Sequence, residues 1–385
     1  MTFVATIAKA DLSSRVDVTS KLIDFSGAVK YLASGEWNAS LPASTWDRLS
    51  TDWPVQWDET GALIRNDAPL LFALRWTDKR LGVILSGPIL EVSRERMGGV
   101  ESVKLSGVDE WGALFGSRTV WPQPTSTTWT TSAYHSITAQ ASSAIAELIT
   151  QHVGPGALTR RQVPGTTVVD AGFGEVRTWQ YRLAELESAV SDIATGEGLQ
   201  VDVRRGLDGE LTVTIGPTQN RTNIVINEAK LDDFAVTLSM GAATTVIAGG
   251  SGEGTSRLFS IAGDEVTGAA RRELFTDQRN ISSQPTLDAA AAALLAANSA
   301  SASLSGTLLP DVPVMWRDHY ELGDLLTLQV EGTRWPAQVT AVTVQIDANG
   351  LHVSPVLGKA TRFVHTQLIR DVSGIGARLS TLEVS

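Results

Sequence analysis

Cysteine is missing altogether from the 385 residues. That excludes disulfides, thiolate metal centres and cysteine nucleophiles at once. Histidine is scarce. His135, His152, His319, His352 and His365 are the whole set, and no two stand at the His-x-x-x-His spacing that puts two ligands on one helix face. Positive charge is in deficit: Lys and Arg number 31 against 42 Asp and Glu, a formal net charge of −11. Such a balance argues against a surface built to grip nucleic-acid phosphates. The longest uninterrupted apolar run, Ala289 to Ala297, is mostly alanine, whereas a spanning helix needs roughly 20 apolar residues. The first residues carry no basic region leading into an apolar core, so no secretion signal is expected. The sequons at Asn38, Asn220 and Asn280 then read as chance matches.

Catalytic signatures are equally sparse. Gly249-Gly250-Ser251-Gly252-Glu253-Gly254 lacks the Lys-Ser/Thr ending of a phosphate loop and reads as a flexible connection. Gly172-Phe173-Gly174 reads as a turn whose glycines permit positive φ. Acidic pairs such as Asp232-Asp233 or Glu185 with Glu187 are expected by chance among 42 carboxylates. No Gly-x-Ser-x-Gly elbow occurs. Neither a metal, a cofactor nor a catalytic residue is expected.

What is present is globular: 43% hydrophobic and 19% charged residues, with length for two or three domains. The first ~120 residues read mostly as short strands. Leu70–Trp76 and Gly82–Leu90 are apolar runs of strand length, and Ile89–Arg94 with Val100–Ser106 flank a Gly98-Gly99 turn, a hairpin signature. After Gly107 the chain leaves a strand, makes a helical turn and exits through Pro122 and Pro124, a domain boundary. A mixed α/β block follows, with helices expected over Ser136–Val153 and Tyr181–Thr195 from apolar spacings of three and four. A hairpin is expected around Asp208-Gly209. From about Ile224 strands return, interrupted by a helix from Thr286, read as N-cap, to Ser303. Asp324–Val330, Ala337–Ile346 and Leu351–Leu357 form a meander, with Asn349-Gly350 as its hairpin signal. No repeat of 20–50 residues is evident. Eleven Trp is a high count. Trp37, Trp46, Trp53, Trp57 and Trp76 fall in the first block, as core or interface anchors or as a sugar-stacking face. In the tail, Leu368, Val372, Ile375, Leu379 and Leu382 step by four, three, four and three, a heptad seam over about two heptads, weakened by Gly374 and Gly376.

Three stretches together resemble the tail-hub, or baseplate-hub, proteins of tailed bacteriophages, including the N-terminal part of tail-associated lysins. They are Val103–Asp109 running into Leu114 and Arg118–Pro122; Leu183–Gly198 with its following hairpin; and Arg272–Asp277 with the Ala-rich helix, Tyr320-Glu321-Leu322-Gly323-Asp324 and the closing meander. The resemblance implies a β-rich α+β fold. Two small β-barrels (1–120 and 223–360, the second with a helical insertion at 286–303) would be separated by an α/β domain (121–222). A C-terminal helix (361–385) would start a coiled coil through Leu368, Val372, Ile375, Leu379 and Leu382. It also implies a non-enzymatic homotrimer at the virion tail tip, made in the host bacterial cytoplasm. Six similar barrels would then match a sixfold tube. Its implied partners are a distal tail protein, a tape-measure protein and fibres or a spike, with DNA passing through unbound. No hydrolase extension of the lysin type is recognisable. A glycan-binding module and, less favoured, a cell-wall hydrolase are the alternative readings.

Overall fold

The computed structural model describes residues 3–9, 15–52, 56–57, 63–64, 70–78, 81–206, 209–279, 281–309, 314–330, 332–348 and 350–359. The heptad seam, Trp53, Asp208 and Asn349 lie outside the described residues. The first block holds β1 (Phe3–Lys9), β2 (Arg15–Asp17), β3 (Asp24–Lys30), β4 (Glu36–Pro42), α1 (Ala43–Asp52), β5 (Gln56–Trp57), β6 (Leu63–Ile64), β7 (Leu70–Trp76), β8 (Val83–Met97) and β9 (Val100–Val108). The middle holds β10 (His135–Gln140), α2 (Ala141–His152), β11 (Thr166–Asp170), β12 (Val176–Tyr181), α3 (Leu186–Glu197), β13 (Leu199–Arg205) and β14 (Leu211–Pro217). The last holds β15 (Asn220–Asn227), β16 (Leu231–Ser239), β17 (Thr245–Gly249), β18 (Phe259–Ala262), β19 (Glu273–Asp277), α4 (Gln284–Asn298), β20 (Ser301–Leu308), β21 (Leu325–Val330), β22 (Thr333–Asp347) and β23 (Gly350–Lys359).

The fold is β-rich α+β, but no barrel closes among the described residues. The two outer blocks instead share one 13-stranded sheet, ordered β16-β20-β23-β22-β3-β4-β9-β8-β7-β1-β2, with β21 on β22 and β15 on β21. The blocks meet where β3 pairs antiparallel with β22, Phe25 opposite Ile346 through Lys30 opposite Ala341. They also share one core, in which Trp37, Phe72 and Leu105 from the first block join Trp316, Leu328 and Val344 from the last. The expectation of two small barrels is thus not confirmed among the described residues, and the reason it was not decidable from sequence is physical. Strand periodicity marks which face is buried but not which distant strand supplies the hydrogen-bond partner.

Within that sheet the topology is duplicated. In the first block β1, β3, β4, β7, β8 and β9 lie in the order β1-β7-β8-β9-β4-β3; in the last block β15, β16, β20, β21, β22 and β23 lie in the order β15-β21-β22-β23-β20-β16. A shift of 250 residues carries β8 onto β22, both 15 residues long. Each pairs with a shorter strand along its first half and with the next strand along its second. Each carries a bulge residue at the same place, Leu90 and Thr340, and β8 has a second at Ile84 that β22 lacks. Such a bulge bends a long strand and lets it serve two pairings. The outermost strands depart from the duplication, since β1 runs antiparallel to β7 but β15 parallel to β21.

The expected helix over 136–153 begins instead as β10. Its helical part starts at Ala141, where Ala144, Ile145, Leu148 and Ile149 turn inward. Tyr181 likewise ends a strand, and α3 starts at Leu186 and stops at Gly198, whose φ of 65° suits the left-handed C-cap. Ser283, not Thr286, precedes the last helix, with Pro285 in its first turn. That helix ends at Asn298 because β20 begins at Ser301. The hairpins at Gly98-Gly99 and before Gly350 stand where expected.

Candidate functional site

A junction binds the two halves of the sheet to the α/β block. The turn between β3 and β4 reaches across it. The Tyr31 hydroxyl donates to the Leu199 carbonyl at 2.6 Å, the Ser34 N–H donates to Glu187 Oε1 at 2.8 Å, and the Ser191 hydroxyl donates to the Leu32 carbonyl at 2.6 Å. Leu32 holds this turn at φ 53°, a conformation costly for a residue with a Cβ and sustained here by those contacts. Gly35 must be glycine, because a Cβ there would lie 2.0 Å from the Ala28 carbonyl oxygen.

Ion pairs from β13 do the rest. Arg205 forks onto Glu110, Nε to Oε1 at 2.6 Å and Nη2 to Oε2 at 2.9 Å, while the Ser86 hydroxyl donates to Glu110 Oε1 at 2.9 Å. The Glu110 side chain is only 5% exposed, so the paired geometry offsets a substantial desolvation cost. Next along β13, Arg204 reaches Glu321 at 2.8 Å, and Arg317 reaches Asp202 at 2.8 Å while lying 4.2 Å over the Trp316 ring. Burial alone would raise the Asp202 carboxyl, but Arg317 and Arg204 hold it below the usual range. Asp324, fully buried, accepts from Arg221 Nε and from the Gln219 and Glu321 N–H groups.

Asp202, Arg204, Arg205, Arg317 and Glu110, with Ser86 and Asp109, wall a cavity of about 40 Å³. At roughly 10–15 Å³ per water it has room for about three waters, not a substrate. Asp109 in its wall is pushed up to about 7 by burial, against the pull of the Gly112 N–H it accepts. Its chemistry is that of an ion-paired joint, partly open to solvent.

A second polar cluster stiffens the passage from the first block into the α/β block. His152 Nδ1–H donates to the Leu148 carbonyl and Nε2 accepts from the Trp121 N–H, both at 2.9 Å, which fixes a neutral ring. The His135 ring stands edge-on 5.2 Å away. Arg161 donates to the Thr119 carbonyl and lies over Trp121, whose ring meets Trp129. Among the described residues no group of three or more His, Asp or Glu could hold a metal. The glycine-rich turn after β17 is filled by the chain's own Arg257, which donates to the Gly249 and Gly250 carbonyls at 3.0 Å. Trp37, Trp46 and Trp76 are buried in the core, which removes them from any sugar-stacking face.

The only site residues expected from sequence, the seam from Leu368 to Leu382, lie outside the described residues. The junction itself escaped sequence reasoning, although a signal was present. Leu22-Ile23-Asp24-Phe25, entering β3, recurs as Leu231-Asp232-Asp233-Phe234 in β16. The two strands occupy equivalent places in the duplicated order.

Comparison with known proteins bears on the whole architecture. The model of the family described as Siphovirus ReqiPepy6 Gp37-like protein matches residues 72–359. No curated protein matches the chain. Similar solved structures include the 43 kDa tail protein of prophage MuSo2 from Shewanella oneidensis, 9% identical with TM-score 0.58, covering 92% of this chain and 98% of that one. A tail protein from Neisseria meningitidis MC58 is 11% identical with TM-score 0.58, covering 94% and 97%. Prophage tail protein gp18 from Listeria monocytogenes EGD-e is 10% identical with TM-score 0.52, covering 99% and 100%. At such identities the likeness speaks for a shared fold.

Proposed function

The chain belongs to the Siphovirus ReqiPepy6 Gp37-like protein family, and from that premise we propose that it is a structural tail-hub protein of a tailed bacteriophage. Three copies form a ring at the tail tip that closes the tube. The ring joins a distal tail protein above to fibres or a spike below, and contacts the tape-measure protein during assembly. It takes part in host attachment and genome ejection. The observation that carries this reading is the duplicated strand order, β1-β7-β8-β9-β4-β3 beside β15-β21-β22-β23-β20-β16. Two equivalent modules per chain, tripled, present six similar faces to a sixfold tube. A net charge of −11 suits a lumen through which DNA slides without being held. The seam from Leu368 to Leu382 would extend the threefold axis as the start of a stalk.

Multi-angle light scattering tests the stoichiometry, and negative-stain class averages test the symmetry. A particle of three chains with six lobes is expected. A monomer at all accessible concentrations, or a ring with three lobes only, overturns the reading.

A further inference from the structure

The duplication makes a prediction about edges that the single chain does not satisfy. Inside one chain, β3 fills the free edge of the second half of β22, residues 341–346. By the 250-residue shift the equivalent segment of the other module is 91–96 in β8. Among the described residues that segment pairs only with β9, so one edge of its backbone is open. Burial tells the same story. Val342 and Val344 are fully buried beside β3, whereas their equivalents Val92 and Arg94 are exposed, and Leu90 at the bulge is 57% exposed. The strand equivalent to β3 is β16, reached by a shift of 209 residues that sets Asp24-Phe25 on Asp233-Phe234. It pairs only with β20 among the described residues, so its other edge is open as well.

We infer that the open edge of β8 at residues 91–96 is the docking site for β16 of a second copy of this chain, antiparallel, in the register of the β3–β22 junction. Phe234 then falls opposite Arg96 of the next copy, Val236 opposite Arg94, Leu238 opposite Val92 and Ser239 opposite Glu91. The inference rests on the ring reading above and supplies its contact. An unpaired strand edge is a template for another strand. What singles out a second copy is that the same chain already shows the contact, between matching strands, at its own midpoint. The contact is heterologous, β8 to β16, so repeating it advances around a ring instead of stopping at a pair. The sheet that one chain begins at β2 and ends at β16 becomes part of a continuous girdle.

The absence of native cysteine makes the test direct. Within one chain β8 and β16 stand seven strand positions apart in the sheet order, far too distant to bridge, at about 4.8 Å per strand. The double variant Val92→Cys, Leu238→Cys, oxidised at assembly concentration, is expected to give a covalent ladder ending at three chains. Val92→Cys with Thr237→Cys, one register position away on the other face, is expected to give little. Hydrogen exchange on the unmodified protein provides the second reading: amides of 91–96 and 234–239 should gain protection on assembly and lose it on dilution. A trimer by light scattering without the ladder and without that protection overturns this edge contact while leaving the ring reading standing. A ladder that stops at two chains assigns the edges to a closed pair and overturns both. A protein that stays monomeric also overturns both.

Discussion

Acidification sets two buried groups against each other. His152 is driven down to about 4, chiefly by burial, with the hydrogen bond to the Leu148 carbonyl opposing that drop and the nearby His135 and Arg161 charges adding to it. Because the native ring stays neutral below its ordinary 6.5, its contribution is complete above pH 6.5 and is lost as pH falls toward 4. At 1.36 kcal/mol per unit this amounts to about 2–3 kcal/mol between pH 7.5 and 4.5. Asp109 works in the opposite sense. Burial raises it to about 7, so its native form is favoured at low pH, and the same acidification returns about 3 kcal/mol. The two nearly cancel. Urea unfolding at the two pH values, followed by tryptophan fluorescence, measures the balance. His135, also lowered by burial, adds to the loss and Asp192, raised by burial, to the gain, so the native chain should change less than either single variant. Asp109→Asn, which removes the opposing group, should lose about 2–3 kcal/mol on acidification. His152→Gln, which keeps a donor and an acceptor, should instead gain stability. Carboxylates held low, such as Asp202 and Asp170, titrate below this window and stay silent. An Asp109→Asn protein with the same pH dependence as the parent would refute the reasoning.

Glu110→Ala leaves the Arg205 guanidinium buried without its carboxylate and should cost about 3–5 kcal/mol in urea unfolding, against about 1 kcal/mol for a change at the exposed Arg96–Glu101 pair. Gly107→Ala places a Cβ 2.1 Å from the Pro88 carbonyl oxygen and 2.6 Å from the Trp37 ring, so soluble yield should collapse, whereas Gly98→Ala, with nothing within 4 Å but a φ of 57°, should cost about 1 kcal/mol. Duplex DNA should elute separately from the assembled ring even at low ionic strength, where phosphate attraction is strongest; co-elution would count against an acidic lumen.

Much of the local structure was legible. The Gly98-Gly99 hairpin, the closing meander and the inward faces of α2 and α3 follow from periodicity and turn chemistry over windows of a dozen residues. The starts of helices were less so. Ser136–Gln140 carries apolar Ile137 in a spacing that suits either state, and pairing of β10 with β12 decides for strand. The junction was legible only in fragments. Asp109-Glu110 looks like any acidic pair until Ser86, from β8, and Arg205, from β13, arrive beside it.

The sequence by itself determined the absence of thiol chemistry, the acidic balance, the order of strand-rich and mixed blocks, and the two copies of Leu-x-Asp-Phe. Those properties are additive or local. Tertiary structure alone decided that the blocks share a sheet, that β8 and β22 are matching bulged strands, and that, among the described residues, one of them is filled while the other is left open. A strand's hydrogen-bonding edge is the same N–H and C=O row whatever the side chains. Which distant strand satisfies it is settled only when the whole chain packs.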